Sequence, residues 1–448
     1  MNPDLLKAFK NLSVKVGQIL AASAMDGKQF PIRAKKELVN LDSTVIVTTR
    51  FKPDYSGFLS YHGSVISDLA EAKLCRKLLE DDPTTGRHLN RMVGAFTSAT
   101  RIDSDSVLRR FLDAFMMELQ SLQFDETTFL RVYREMEDFF YSDVVQTEVF
   151  APLEGFYSDA DMIDLDAGWS VRRVSQARLE SLLSEGVLPE DSWIAVSHAI
   201  VWLVETPKQI LEEGQEMRAL PEHKRVESSV REVLSALRLF KNGDVGCRLM
   251  DINRVSWSTI GTSRAQRYLI PYFGRSYELK SGETDQFRDF LRLYRQTSRN
   301  PAIEVAVRRV NYAAERDHQD DHLIDSLVAF ESLYLDDTQE LGYRLSLRVA
   351  AAIREMGPER IMVFEDMKLA YNLRSTIVHG GADDEIHKVL KKKGYSFTEL
   401  LGRIDCYLRE SVRFYMVQMV KESSRQHLLD ELDKSILSGI ERKGWQES

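Results

Sequence analysis

DHLIDSLVAFESLYL, residues 321–335, and YNLRSTIVHGG, residues 371–381, decide how this 448-residue chain is read. In the first, apolar side chains recur at Ile324, Leu327, Val328, Tyr334 and Leu335, with Glu331 standing inside the stripe. The second extends a stripe from Val363, Met367 and Ala370 to Ile377 and Val378, with Arg374 inside it. Spacings of three and four residues predict helices with one face turned to a core. Working outward, further helices are expected over Ala302–Glu315, Leu341–Arg354, Glu359–His379, Phe397–Lys421 and from His427 to about Arg442. Pro301 suits a first helical turn, and Gly380–Gly381 supplies a stop. Residues 301–448 therefore read as a helical bundle.

Upstream the pattern differs. Residues 1–142 read as mostly helical, over Ser64–Glu80, Asp105–Leu122 and Thr127–Phe140, with one strand-like run from Ser43 to Phe51. Residues 143–300 read as an α+β domain, suited to a sensing or regulatory role. TEVFAPLEGFY (147–157), DMIDLDAGWSVRRV (161–174) and SWIAVSHAIVWLV (192–204) carry strand signals, as do runs 245–261 and 266–279. Short helices are expected at Gln176–Leu183 and Arg231–Lys241. The fold class is mainly α with an α+β middle domain.

Composition narrows the function. At 43% apolar and 29% charged residues, the chain is an ordinary globular protein, neither collagenous nor disordered. Without a run of 18 apolar residues, a signal peptide or paired cysteines (Cys75, Cys247 and Cys406 are scattered), a cytoplasmic protein away from membranes is expected. The net charge is −9, and residues 301–448 hold 21 basic against 26 acidic side chains. A surface coating nucleic acid is excluded, so any RNA contact must be local.

Glu331 and Arg374 each need a partner, because an unpaired buried charge costs several kcal/mol. Either they face one another, as a structural pair, or Arg374 lies at an interface and points to an anion. Arg374 and His379 form an R-x4-H spacing whose side chains lie about 140° apart on one helix. They converge only at a distorted helix end or across a two-fold axis; alternatively His379 merely caps carbonyls. DHQDDH (317–322) presents His318 and His322 at a spacing open to metal, but Asp321 and its neighbours suit a helix start. DADMIDLD (159–166) breaks the calcium-loop register and reads as turn and strand. Lys391, Lys392 and Lys393 with Tyr395 either engage an RNA backbone and base or form a solvated loop. No metal or cofactor motif is found.

DHLIDSLVAFESLYL, ELGYRLSLRVAAAI and YNLRSTIVHGG, in that order, resemble the HEPN superfamily and its prokaryotic ApeA-like branch over residues 302–440. The resemblance implies a HEPN-like helical bundle that dimerises, bringing two R-x4-H motifs into one cleft. It implies a metal-independent endoribonuclease of an antiphage defence or toxin system, leaving 2′,3′-cyclic phosphate and 5′-hydroxyl ends. Arg374 and His379 match the motif; Glu331 and Asp325 match acidic positions of the preceding helix. Arg344 and Arg348 match recurrent basic positions, expected to pair with Asp325 or Glu331. The residue after the motif arginine, often Asn, Asp or His, is Ser375 here. One branch has a nucleotidylated Tyr two places beyond the histidine, where this chain has Gly381. His322 shares the helix of Glu331 and is a further candidate for the RNA cleft. The implied partners are RNA, a second copy of the C-terminal bundle or a larger oligomer, and a regulatory protein or phage-derived trigger acting through residues 1–300. The alternative is a non-catalytic HEPN assembly or ligand-binding module.

Overall fold

The computed structural model describes residues 2–41, 44–57, 63–96, 98–119, 122–186, 188, 190, 196–254, 257, 266–267, 276–336, 339–353, 360–380, 383–421 and 424–438. Gly381, Arg354, Glu359, Arg442 and most of the strand-like runs after Arg254 lie outside the described residues. The chain is mainly α with antiparallel sheets and divides into two compact units. One comprises Met1–Leu153, Asp161–Ser228 and Arg248–Leu269; the other comprises Glu154–Ala160, Ser229–Cys247 and Ile270–Ser448.

The first unit opens with the Pro3–Met25 helix, capped by Asn2, whose side chain accepts from the Asp4 and Leu5 N–H groups. Leu5, Phe9, Leu12, Val16 and Leu20 are buried at helical spacing. They pack with the Ala70–Asp81, Ser104–Glu118 and Glu126–Tyr141 helices around Phe111, Phe115, Phe129 and Tyr133. The single helix expected over Ser64–Glu80 is instead two, Gly63–Ser67 and Ala70–Asp81.

Strands are more numerous here than the spacing predicts. β1 (Ile32–Leu41) and β2 (Thr44–Pro53) form a hairpin; only β2 was legible as a strand-like run. β3 (Arg91–Ala95) and β4 (Ser98–Ile102) pair antiparallel, and β10 (Gln209–Leu211) joins β3. The largest sheet comprises β5 (Val144–Glu154), β7 (Met162–Asp164), β8 (Trp169–Arg173), β9 (Val196–Pro207), β11 (Leu249–Arg254) and β12 (Gln266–Arg267), in the order β12-β11-β5-β9-β8-β7. β9 is the buried strand expected around 196–204. Its Trp202 lies opposite Trp169 of β8, and the rings stack at 5.1 Å. The DADMIDLD segment forms β7 and a turn in which Asp166 and Ala167 take positive φ. The outer edge of β1 is covered by the Gln176–Ser184 helix: the Lys36 and Leu38 N–H groups donate to Ser184 and Glu180.

The second unit is helical apart from β6 (Phe156–Tyr157) and β13 (Tyr277–Glu278), which pair in parallel. Helices run over Thr284–Thr297, Pro301–Ala314, Gln319–Tyr334, Leu341–Ala352, Arg360–Val378, Asp383–Lys393, Phe397–Lys421 and Arg425–Ser438. Asn300 caps the Pro301 helix, with the proline in its first turn. Two described helices of this unit escaped the sequence reading, as did Pro3–Met25 in the first unit. Thr284–Thr297 buries Phe287, Phe290, Leu291 and Tyr294 within the stretch assigned to the α+β region. Asp383–Lys393 carries the lysine run in its last turn, where cations suit the helix dipole, rather than in a loop. The long Phe397–Lys421 helix packs against the Pro301–Ala314, Gln319–Tyr334 and Arg360–Val378 helices.

Candidate active site

The Gln319–Tyr334 and Arg360–Val378 helices bring Glu331 to Arg374. The guanidinium Nη1 lies 3.4 Å from Glu331 Oε1, and Nη2 donates to Oε2 at 3.5 Å. Tyr371, one helical turn before Arg374, joins both: its hydroxyl hydrogen-bonds Glu331, and the guanidinium lies 5.6 Å from its ring centre. Burial raises the Glu331 carboxyl above the ordinary carboxylate range, although Arg374 and Tyr371 pull it down. The Arg374 Nε is buried without a hydrogen-bond partner among the described residues. The pair is long and leaves donor capacity on the guanidinium unused.

His379 follows the last residue of the helix and is exposed. Its N–H still donates to the Ser375 carbonyl at 3.1 Å, and Gly380, at φ +74°, ends the turn. Ile361, Glu365, Lys368, Asn372, Ser375 and His379 are all exposed, at alternating spacings of four and three. They form one solvent-facing stripe that ends in the imidazole. Arg374 turns off that stripe toward Glu331.

The supporting residues are arranged differently from expectation. Asp325, 2% exposed, is held by Arg309 at 2.7 Å and Arg316 at 2.8 Å. Arg344 and Arg348 pair with neither Asp325 nor Glu331, because their helix faces the end of the Gln319–Tyr334 helix instead. Arg348, 1% exposed, clamps Asp433 through Nε at 2.8 Å and Nη2 at 2.7 Å, reaches Asp336 at 2.8 Å, and donates to the Tyr334 carbonyl. Arg344 also reaches Asp336, at 3.3 Å. Arg425 caps the same helix end through the Ser332 and Leu335 carbonyls. These arginines anchor the final turn that carries Glu331.

Of the other candidates, His322, Lys393 and Tyr395 have partners of their own. His322 Nε2 lies 2.7 Å from Asp405 Oδ1. Lys393 pairs with Glu365 at 3.0 Å; Lys391 and Lys392 are exposed. The Tyr395 hydroxyl accepts from Arg403 at 2.8 Å, and the Arg403 guanidinium stacks 4.7 Å from its ring centre. No group of three or more metal-ligating side chains gathers among the described residues.

Sequence reading missed Tyr371, although its i−3 offset from Arg374 was visible. It also missed Asp366, 1% exposed, which accepts from the Tyr407 hydroxyl at 2.9 Å and from Arg403 at 3.3 Å. Chemically, a guanidinium can bind an oxyanion, and an imidazole is both a proton donor and a proton acceptor. No helix among the described residues is long and apolar enough to cross a membrane. Comparison with protein-family models, with curated proteins and with solved structures found no match.

Proposed function

We propose that this chain is a metal-independent endoribonuclease of a prokaryotic antiphage defence or toxin system, acting in the cytoplasm. Its C-terminal helices would form a HEPN-like bundle, and two copies would build one cleft from paired Arg374 and His379 side chains. The observation that carries the reading is the loose hold on Arg374. Contacts of 3.4 and 3.5 Å to Glu331 contrast with the 2.7–2.8 Å clamp of Arg348 on Asp433. A purely structural ion pair of that burial gains most from short, bidentate geometry.

In this reaction His379 takes the proton from a ribose 2′-hydroxyl, and the 2′-oxygen attacks the adjacent phosphorus. Arg374 holds the phosphoryl oxygens as charge builds on them. The bond to the 5′-oxygen breaks, that oxygen gains a proton, and a 2′,3′-cyclic phosphate remains. Ser375 and Asn372 flank the site on the exposed stripe. Residues 1–300 would restrain the activity or sense a regulatory protein or phage-derived trigger.

The test is incubation of purified protein with end-labelled RNA in EDTA. Internal cleavage leaving cyclic phosphate and 5′-hydroxyl ends, lost in His379→Ala, supports the reading; no cleavage under activating conditions, or full cleavage by that variant, refutes it. The Arg374–Glu331 contact favours a second reading, a non-catalytic HEPN module for assembly or ligand binding. In that case neither the wild-type protein nor His379→Ala cleaves RNA.

A further inference from the structure

The β1–β2 hairpin carries four cations on one face. Its register sets Arg33 opposite Lys52 and Lys35 opposite Arg50. Alternate residues of a strand share a face, so the four side chains emerge together. Like charges directly opposite one another weaken strand pairing, and this hairpin has two such pairs in succession. Core packing does not account for them, because Arg33, Lys35 and Arg50 are exposed and Lys52 is partly exposed.

Carboxylates stand near this charge, Glu180 beside Lys35 among them, but few of them contact the four cations directly. Glu37 shares the face and comes within 3.9 Å of Arg50. Asp54, Glu118 and Glu185 line the recess beside the hairpin. Of these, Glu118 pairs with Arg131, Asp54 accepts the Gly57 N–H at 2.9 Å, and Glu185 accepts the Ser181 hydroxyl at 2.6 Å. Arg33, Lys35 and Lys52 have no carboxylate within 4.0 Å among the described residues. Two residues of strand advance about 6.6 Å, a step comparable to that between phosphates of an extended polynucleotide. Among the described residues β2 pairs with β1 alone, and Phe51, 68% exposed between Arg50 and Lys52, emerges on the face opposite the cations.

We propose that this face binds the phosphodiester backbone of a single RNA strand. The paired cations select a linear polyphosphate; the choice of RNA rests on the function proposed above. Four phosphate contacts on a single strand give a slope of about −2.8 in log affinity against log salt. Binding would then weaken about 50-fold between 50 and 200 mM salt.

The experiment uses full-length protein carrying His379→Ala and a fluorescein-labelled 12-nucleotide uridine RNA, followed by anisotropy in EDTA across that salt range. The same protein with Arg33→Gln, Lys35→Gln, Arg50→Gln and Lys52→Gln should bind at least tenfold more weakly at 50 mM and lose most of the slope. Its melting temperature should hold or rise, since removing opposed like charges relieves the hairpin. Unchanged affinity and slope overturn the proposal, as does weaker binding accompanied by a lower melting temperature. Displacement of the RNA by poly-glutamate at equal charge would also overturn it, in favour of an acidic protein partner. Cleavage is scored separately on chains with native His379. Cleavage together with unaltered binding by the fourfold variant defeats the hairpin site alone; cation-dependent binding without cleavage defeats the nuclease alone.

Discussion

Arg348→Met removes a guanidinium that is only 1% exposed while filling much of its volume with an apolar chain. The guanidinium ties three helices together. Asp433 is on the Arg425–Ser438 helix, Asp336 and the Tyr334 carbonyl end the Gln319–Tyr334 helix, and Arg348 itself is on Leu341–Ala352. Breaking a buried ion pair costs about 3–5 kcal/mol, chiefly because the partner stays behind uncompensated. Here Asp433 is 43% exposed and Asp336 19%, so water can take up part of both charges. The low end, about 3 kcal/mol, follows. For a domain of about 150–250 residues that lowers Tm by about 6–12 °C. The assay is urea and thermal unfolding of wild type, Arg348→Met, Asp433→Asn and the double variant. The coupling energy between the two sites should be about 1 kcal/mol. Arg348 also sets a pH signature. Burial raises the Asp336 carboxyl, but the hydrogen bond and charge of Arg348 outweigh it and hold the group below its ordinary 3.8. The resulting stability is present above pH 3.8 and is lost as pH falls through the lowered value. Arg348→Met should flatten that acid dependence. A loss under about 1 kcal/mol with no coupling to Asp433 would refute the clamp.

Four further outcomes follow. Glu331→Gln should become more favourable relative to wild type as pH rises from 4 to 7 by thermal melts. The native carboxyl is raised, so its contribution is full below the ordinary 4.5 and is lost as it ionises. Gly342→Ala should cost about 1–3 kcal/mol in denaturant unfolding, because the new methyl would stand 2.6 Å from the Tyr371 ring beside the Arg374–Glu331 pair. His322→Ala should leave RNA cleavage within about threefold of wild type, since Asp405 already holds that imidazole. Arg374→Lys should abolish cleavage, because an ammonium cannot reproduce the planar fork; cleavage by that variant at wild-type rate would show that the fork is not needed.

Except for Asp383–Lys393, the helices of residues 301–438 were legible because each buries one face at a fixed spacing. Phe397–Lys421 has the predicted limits, and the start of the Pro301 helix follows from a proline behind an asparagine cap. Glu331 and Arg374 stood out for the same reason: a charge inside an apolar stripe demands a partner, and each has the other. The Thr284–Thr297 helix carried a comparable stripe at Phe287, Phe290, Leu291 and Tyr294, but neighbouring strand signals obscured it. β1 was hidden because Ile32–Leu41 includes Arg33, Lys35, Lys36 and Glu37, residues that do not announce a strand.

Sequence by itself therefore determined the helical character of the C-terminal third, the two charges that must be neutralised within it, and the stop after His379. Tertiary structure alone decided which carboxylate each arginine meets. Asp325 went to Arg309 and Arg316, Arg348 to Asp336 and Asp433, and Arg374 to Glu331. It also decided that Arg33 and Lys35 face Lys52 and Arg50 across a hairpin. The physical reason is range. Periodicity is a property of neighbours along the chain, whereas ion pairing and strand register join residues far apart in sequence, where many partners of equal charge compete and only packing selects among them.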